Sequence, residues 1–211
     1  MKRLKLAAFD LDGTLADTLP VSIAAFGRAV SPYAGHELSR EEIVETFGLN
    51  EGGMVKAVVK RSPEEALETY YQVFQAMQGE VPPPFPGIVP LLEELKAAGI
   101  LVALVTGKSE TSCRITLETL GLAEMFCTVM TGSEHGNRKA ECLRALMERY
   151  GLEAEECVYV GDAASDVRAA REAGMVCYSA AWSPGTGVEL LERANPGRVC
   201  ASVAELRRRL M

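Results

Sequence analysis

The pattern of apolar and polar positions changes its period along the chain. Short apolar runs occupy residues 4–9, 100–105, 128–130, 156–160 and 175–178. Runs of this length, bounded by glycine or polar residues, predict buried strands. Segments with apolar residues at helical spacing lie at residues 88–98, 110–120, 138–150, 165–173 and 202–210. We therefore predict that strands and helices alternate over the second half of the chain.

This alternation also predicts how the strands are arranged. A strand followed by a helix and another strand gives parallel strands joined by crossover helices. The predicted strands are apolar nearly throughout, as expected of a sheet that helices cover on both faces. The predicted fold class is therefore α/β, with a doubly wound parallel sheet.

A helical segment interrupts the alternation after the first strand, because no strand pattern occurs between residues 17 and 81. Asp17 or Thr18 is a candidate cap for a helix that runs towards Val30. The sequence Ser-Pro-Tyr-Ala-Gly at residues 31–35 is expected to break that helix.

Further helix-start signals follow until a proline-rich stretch. Ser39 fits a capping box, and Ser62 is a candidate cap directly before a proline. Residues 81–87 contain four prolines, which predict a stiff, extended connection. We therefore predict two parts, a helical insertion at residues 19–81 and an α/β core formed by residues 1–18 and 82–211.

Charge and length exclude several partners. The chain has 211 residues and a net charge of −7, with acidic residues spread along it, which argues against a general nucleic-acid surface. Its first apolar run is too short for the core of a signal peptide, and Asp10 ends it. No window approaches the apolar length needed to cross a membrane. We expect neither nucleic acid nor a membrane as a partner.

The cysteines indicate a reducing compartment. The chain has six of them, none at CxxC spacing, and only two histidines, which disfavours a zinc site. Several lie in apolar runs, where cysteine behaves as a small hydrophobic residue. Reduced thiols and a cytoplasmic location are therefore expected.

Polar residues follow three of the predicted strands at the point where each ends. They are Asp10 and Asp12 after the first strand, Thr106, Gly107 and Lys108 after the second, and Asp162 with Asp166 after the strand at 156–160. The carboxyl ends of parallel strands face the same way, and open α/β sheets bind ligands there. The first acidic pair alone has an equally good structural interpretation, because Asp accepts hydrogen bonds from backbone N–H groups in turns. The other polar residues favour chemistry.

The same residues predict what the site binds. Several carboxylates at one edge repel one another, and a divalent cation relieves that repulsion. A site rich in hard oxygen ligands favours Mg²⁺. Thr106 contributes a hydroxyl, and the helix start after it contributes free backbone N–H groups, which together suit a phosphate oxygen.

Four short motifs, in the order found here, resemble those of the haloacid dehalogenase superfamily, in its branch of phosphoglycolate-phosphatase-like hydrolases. They are DxDGT at residues 10–14, Thr106 at a strand end, the lone Lys139, and GDxxxD at residues 161–166. The resemblance covers nearly the whole chain. It implies that the helical insertion is a cap domain that closes over the site.

The resemblance also implies a role for each matching residue. Asp10 would be the nucleophile that forms an aspartyl-phosphate, and Asp12 would be first general acid and then general base. Mg²⁺ would be held by the Asp10 carboxylate, the Asp12 backbone carbonyl and Asp162. The phosphoryl oxygens would be held by Thr106, the Gly107 N–H and Lys139, and Asp166 would support Lys139 or the metal's waters.

Some positions depart from the family pattern. Ala140 follows Lys139 where many relatives have proline, which leaves Arg138 and Lys108 as alternative candidates for the same role. Gly107 stands where relatives often have asparagine. The basic residues of the insertion are either substrate contacts or solvated helix residues: Arg28, Lys56, Lys60 and Arg61.

The resulting functional prediction is a Mg²⁺-dependent phosphatase for a small phosphorylated metabolite, with phosphoglycolate as the candidate by resemblance. Nucleotidase, pyrophosphatase and sugar phosphomutase activities are alternatives on the same core. A phosphorylated receiver domain is disfavoured, because its acceptor Asp follows a later strand and it has no helical insertion. The full set of acids disfavours an inactive binding module. We expect a monomer or homodimer.

Overall fold

Six parallel strands form one sheet within residues 3–211, the part of the chain that the computed structural model describes. They are β1 (Leu6–Phe9), β2 (Leu101–Val105), β3 (Thr128–Met130), β4 (Cys157–Gly161), β5 (Val176–Ala180) and β6 (Val199–Cys200). Their order across the sheet is β3-β2-β1-β4-β5-β6, and all the pairings are parallel. The predicted α/β fold with a parallel sheet is confirmed.

Ten α-helices accompany the sheet in the described residues. They are α1 (Leu19–Ala34), α2 (Arg40–Glu45), α3 (Glu51–Val58), α4 (Pro63–Ala76), α5 (Ile88–Ala97), α6 (Glu110–Leu120), α7 (Lys139–Tyr150), α8 (Ala164–Ala173), α9 (Val188–Ala194) and α10 (Val203–Leu210). The first four lie in the predicted insertion, and the others follow the strands as the sequence pattern predicts.

Alternate side chains of β1 belong to two different apolar clusters. Phe9 packs with residues of α5, α6 and α10, whereas Ala8 packs with residues of α7 and α8. Every residue of β1 is buried. Successive side chains of a strand point to opposite faces, so a strand with helices on both faces must be apolar at each position.

The position of β1 decides where the site lies. Phe9 is paired with Leu104 of β2 on one side and with Val160 of β4 on the other. The chain fills the β2–β3 side first and then crosses β1 to form β4. This strand order has its topological switch point between β1 and β4, where ligands of such sheets bind. The polar residues that follow these two strands are therefore neighbours.

Helices α1–α4 share an apolar cluster of their own. It includes Phe26 of α1, Ile43 of α2 and Val55 of α3. On α4, the rings of Tyr70 and Phe74 stack with centroids 5.5 Å apart. Ile115 of α6 belongs to the same cluster, so the helices also pack against the core. The bounds of the cap, residues 19–81, stay a prediction.

The first helix is longer than its sequence predicts. It continues past Val30, through Pro32, and ends at Gly35, which has φ of +81°. A proline inside a helix costs about 3 kcal/mol. Here the last turn is held by packing, since Val30 is fully buried and the Tyr33 hydroxyl bonds to Thr69 on α4 at 2.8 Å. The break expected at residues 31–35 therefore comes only at its last residue, Gly35, and Pro32 does not end the helix.

The predicted helix caps differ in their outcome. The capping box at Ser39 is confirmed, with hydrogen bonds in both directions between Ser39 and Glu42. Ser62 stands at the start of α4 but makes no capping bond, and its backbone is left-handed at φ +57°. Thr18 stands before α1 and makes no capping bond either, since its backbone is already near-helical at φ −94° and ψ −17°. Its hydroxyl donates to Asp12.

Candidate active site

A cavity of about 350 Å³ lies over the carboxyl ends of the central strands. The residues that the sequence predicts for the site line it, except for Asp166, which lies behind it: Asp10, Asp12, Thr106, Gly107, Lys139 and Asp162. Asp10 directly follows β1, Thr106 follows β2, and Asp162 follows β4, whereas Lys139 begins α7. The parallel register brings these four chain segments to one place.

Lys139 is the central cation of the site. Its Nζ donates to Asp10 Oδ2 at 2.6 Å and to Asp166 Oδ1 at 2.7 Å. Burial acts to lower the pKa of Lys139, but Asp10 and Asp166 outweigh it and raise the pKa above its ordinary value. The side chain is therefore a fixed ammonium group beside Asp10.

Asp166 is completely buried and fully bonded. Beyond Lys139, it accepts the Tyr159 hydroxyl at 3.3 Å and the backbone N–H of Ala163 at 3.0 Å. These donors engage both of its oxygens. Asp166 therefore holds the Lys139 ammonium group beside Asp10.

Two carboxyls at the site resist ionisation. Burial raises the pKa of Asp10 to about 7, against the effect of Lys139, and repulsion from Asp166 and Asp12 adds to the rise. Burial, followed by repulsion from Asp10 and Asp166, raises the pKa of Asp162 to about 8. A cation between Asp10 and Asp162 would favour their charged forms.

The donor set fits a divalent metal ion. One carboxylate oxygen each from Asp10, Asp162 and Asp166 lies within 4.8 Å of the others, and no other group of metal-ligating side chains of this kind occurs in residues 3–211. Carboxylate oxygens are ligands that Mg²⁺ prefers. Asp166 is completely buried and does not line the cavity, so Asp10 and Asp162 are the carboxylates available to a cation there.

Glycine is required at two points of close approach. Gly13 has φ of +71°, and a Cβ there would overlap the Asp162 carboxylate. A Cβ at Gly132 would overlap the carbonyl oxygen of Gly107, whose loop is also held by the bond from Gly132 N–H to Lys108 O at 2.7 Å. Gly13 thus lets the loop after β1 approach the loop after β4, and Gly132 lets the loop after β3 approach the loop after β2.

Thr106 is held with its hydroxyl at the floor of the cavity. Its backbone N–H donates to Met130 O at 3.0 Å, and its Oγ1 accepts the N–H of Lys108 at 3.3 Å. Within the described chain, the hydroxyl proton is not donated to any residue. Thr106 and the adjacent Gly107 can therefore donate hydrogen bonds to an anion in the cavity.

Asp12 has its own cation, Lys108. Asp12 Oδ1 accepts the Thr18 hydroxyl and lies 3.2 Å from Lys108 Nζ. Arg138 is exposed and faces Glu141 at 3.7 Å. Of the three cations that the sequence left as candidates for one role, Lys139 is the one beside Asp10.

The insertion contributes the other half of the cavity, and this half is mostly apolar. Its lining side chains include Leu19, Ile23, Phe26, Ile43, Leu49, Met54 and Tyr70. None of the insertion's basic candidates lines this cavity in the described chain, and Lys56 is paired with Glu134 at 2.6 Å. The alternative of solvated helix residues fits them better than substrate contacts.

Sequence reasoning missed Glu51, the one charged residue that the insertion places in the cavity lining of the described chain. Its Oε2 accepts the N–H of Ser109 at 2.6 Å, at the start of α6. The glycine pair at residues 52–53 was the available signal, because a Cβ at either glycine would overlap Glu134. This close contact brings Glu51 to the core.

A family model described as haloacid dehalogenase-like hydrolase matches residues 7–180. The chain belongs to this family. The match runs from β1 through β5 and includes all four motifs, in agreement with the positions of Asp10, Thr106, Lys139 and Asp162 at one cavity. The predicted superfamily is confirmed.

Similar proteins extend over nearly the full chain. A phosphoglycolate phosphatase of Vibrio parahaemolyticus is 30% identical, over 96% of this chain and 94% of its own length. The pyrophosphatase PpaX of Bacillus velezensis is 27% identical, over 97% and 95%. A solved hydrolase structure from Pseudomonas syringae is 26% identical with a TM-score of 0.80, over 98% and 97%. The predicted phosphoglycolate-phosphatase-like branch and the prediction of a phosphatase are confirmed.

Two further features concern possible membrane-spanning helices and the state of the cysteines. No helix in residues 3–211 combines the length and the apolar character that crossing a membrane requires. All six cysteines are free, and five of them are buried.

Proposed function

We propose that this hydrolase is a Mg²⁺-dependent phosphatase that cleaves a small, phosphoglycolate-like phosphomonoester through an aspartyl-phosphate. The observation that carries the proposal is the placement of the Asp10 carboxylate beside a fixed ammonium group, with Asp12 and Asp162 at the same cavity. A nucleophile, a proton donor and cationic phosphate ligands are the groups that phosphoryl transfer requires.

The first half of the reaction transfers the phosphoryl group to the protein. An Asp10 oxygen forms a bond to phosphorus while the bond from phosphorus to the alcohol oxygen breaks. Asp12 gives its proton to that leaving oxygen, so the alcohol departs neutral. Asp10 is held for in-line attack by Lys139 on Oδ2 and by the N–H of Leu11 on Oδ1, at 2.6 Å and 2.8 Å.

The second half returns Asp10 to its free state. A water molecule attacks phosphorus and gives a proton to the Asp12 carboxylate, and the bond between Asp10 and phosphorus breaks. Inorganic phosphate and the starting form of both carboxyls result. Asp12 thus serves as acid in one step and as base in the next.

The phosphoryl oxygens are bound by Thr106, the Gly107 N–H and Lys139. These groups stabilise negative charge without entering the covalent chemistry, which is where most of the catalysis of phosphoryl transfer originates. Asp166 acts through Lys139, because it holds the ammonium group at 2.7 Å.

Mg²⁺ would be held by the Asp10 carboxylate, the Asp12 backbone carbonyl and Asp162, and it supplies charge that offsets repulsion between nucleophile and phosphate. The raised pKa values of Asp10, to about 7, and Asp162, to about 8, support a cation here, since both groups lack a sufficient counter-charge without one.

Pyrophosphate hydrolysis is the second candidate, because PpaX is similar over nearly the whole chain.

We propose a small-molecule phosphate ester as the partner, with neither nucleic acid nor a membrane, and a monomer or homodimer as the working state. A cytoplasmic location is supported by the six free thiols. The helices of residues 19–81 act as the cap that covers the substrate.

A phosphate-release assay tests the proposal. We would measure release from 2-phosphoglycolate, pyrophosphate, nucleoside monophosphates and hexose phosphates, with Mg²⁺ and after chelation. Release of phosphate from at least one monoester, lost on chelation and restored by Mg²⁺, is the expected result. Phosphate release that continues after complete chelation would contradict the proposed dependence on Mg²⁺. Conversion of one hexose phosphate to another would identify a mutase.

A further inference from the structure

Lys108 is a buried cation that the chemistry described above does not use. It is 6% exposed and follows Thr106 by two residues. Its Nζ lies 3.2 Å from Asp12 Oδ1, 3.0 Å from Ser22 Oγ, and 5.0 Å from the centre of the Phe74 ring. The ammonium group therefore contacts both the core and the insertion.

A lysine is a poor choice for packing at this position. Moving an ammonium group out of water costs several kcal/mol, and a buried ion pair seldom stabilises a fold more than apolar side chains of the same volume. The carboxylate beside the ammonium group is that of Asp12, at 3.2 Å. A buried cation placed next to the proposed acid suggests a use in the reaction.

The contacts of Asp12 indicate what that use is. Lys108 and the Thr18 hydroxyl both engage Oδ1, the same oxygen. Oδ2 accepts no hydrogen bond from residues 3–211. Holding Oδ1 orients the carboxyl so that Oδ2 is the oxygen that exchanges a proton at the cavity.

The charge of Lys108 also matches the change in charge during proton transfer. When the proton leaves Oδ2 for the oxygen of the departing alcohol, a carboxylate remains on Asp12. Lys108 lies beside that new negative charge and stabilises it. A preorganised charge of this kind acts in the transition state without reorganisation.

The insertion completes the surroundings of Lys108. Ser22 belongs to α1 and Phe74 to α4, so both contacts come from the helices over the cavity. A hydroxyl that accepts a hydrogen bond and an aromatic face are both neutral groups that stabilise an ammonium group. The orientation of Asp12 therefore depends on the insertion lying over the core.

We propose that Lys108 is a positioning residue for proton transfer by Asp12, held in place by Ser22 and Phe74. The proposal rests on the proposed function and deepens it. It makes Lys108 essential when the leaving group needs a proton, and dispensable when it does not.

Two nearly isosteric substrates separate these cases. Ethyl phosphate releases an alkoxide unless it receives a proton, whereas acetyl phosphate releases acetate without one. We would measure kcat/KM, which reports the steps up to phosphoryl transfer to Asp10, for the wild type and Lys108→Met. The expected loss is about 10²- to 10³-fold for ethyl phosphate, which lies within the roughly 10²- to 10⁴-fold contribution of general acid catalysis, and less than about 10-fold for acetyl phosphate.

Further variants exclude a general loss of structure. Lys108→Arg should retain part of the ethyl phosphate activity that Lys108→Met loses. Ser22→Ala should lower kcat/KM for ethyl phosphate a few-fold and leave that for acetyl phosphate nearly unchanged. Lys60→Met, at an exposed lysine of the insertion, should change neither substrate. Thermal unfolding confirms that each protein is folded, and if Lys108→Met does not fold, Lys108→Arg and Ser22→Ala carry the comparison.

Equal losses on the two substrates would overturn the proposal, because they would assign Lys108 to packing or to phosphate binding. Unchanged rates on both would overturn it as well. If the wild type releases phosphate from neither compound nor from any other monoester, the proposed function itself fails, and the role of Lys108 fails with it.

Discussion

The two halves of the cavity differ in the side chains that they present. The half contributed by the core carries seven charged residues in its lining: Asp10, Asp12, Lys108, Arg138, Lys139, Asp162 and Arg168. The half contributed by the insertion is apolar except for a few residues, and Glu51 is its only charged side chain within the described chain. Charge at one half and apolar surface at the other suggest separate tasks.

The difference follows from how each half is built. The acids of the core half follow parallel strands, so the sheet register positions them. Ion pairs from Lys139 to Asp10 and from Lys108 to Asp12 hold two of them in place. The lining of the insertion is the inner surface of packed helices, and Phe26 and Tyr70 belong to its own apolar cluster. We infer that the core half binds and transfers the phosphoryl group, and that the insertion half contacts the leaving group. The predictions below would break or sharpen this division.

Asp10→Asn is expected to have the largest effect. It removes the nucleophile, and kcat for phosphate release should fall by about 10⁴-fold or more, as when other covalent nucleophiles are removed. Asp17→Asn is the matched control, because Asp17 lies in the same loop and does not line the cavity. Wild-type turnover in Asp10→Asn would exclude the covalent mechanism.

Lys139→Met should reduce both activity and stability. It leaves Asp10 and Asp166 without their shared cation, and an uncompensated buried charge costs about 3 to 5 kcal/mol. We expect kcat to fall at least about 100-fold and the midpoint of urea unfolding to decrease. Arg138→Met, at the exposed neighbour, should change both much less; the reverse result would transfer the role to Arg138.

Mg²⁺ should stabilise the protein, and more so at high pH. The pKa values of Asp10, about 7, and Asp162, about 8, lie above the ordinary value of 3.8, so these groups favour the fold while protonated. In the metal-free protein this contribution is lost as pH rises through 7 to 8. Metal binding to the ionised groups offsets the loss.

Thermal unfolding measures this effect directly. At a Mg²⁺ concentration of about 100 times the Kd of the wild type at pH 8, the free energy of unfolding should rise by about 2.7 kcal/mol. At that same concentration we expect a smaller shift in Tm at pH 5.5, and a much smaller one in Asp162→Asn at pH 8. A shift that Asp162→Asn retains in full would place the ion elsewhere.

Glu51→Gln should have the smallest effect, a change in the relative kcat/KM values of different substrates. Its carboxylate faces the side of the cavity assigned to the leaving group, where it repels a second anionic group by about 1 kcal/mol. Removing the charge should raise kcat/KM for 2-phosphoglycolate and pyrophosphate about fivefold relative to ethyl phosphate. Glu45→Gln, an exposed acid of α2, should leave the ratio unchanged. An equal change for all three substrates would contradict the assigned leaving-group side.

Some features of the site could be predicted because they are local in sequence. Asp10, Thr106 and Asp162 follow apolar runs directly, and a buried parallel strand leaves its next polar residue at the carboxyl edge of the sheet. The DxDGT motif includes Gly13, whose positive φ and contact with Asp162 account for the glycine. The alternation of strands and helices and the acids at the strand ends follow from such short stretches, whereas the strand order is a finding of the structure.

Other features required the fold. The first helix passes through Pro32 because Val30 and Tyr33 pack against a helix that begins about 30 residues later. The partners of Lys108 and Glu51 could not be predicted from the sequence, because Asp12 and Ser109 come from distant segments.

The sequence by itself determined the parallel sheet, the family and the acids at the strand ends, because each depends on the period of one stretch or on a short motif. Only the tertiary structure decided which cation serves which acid and what lines the insertion half. Lys139 forms an ion pair with Asp10, and Lys108 forms one with Asp12. Pairing between distant loops depends on the packing of the elements between them, which a local pattern does not encode.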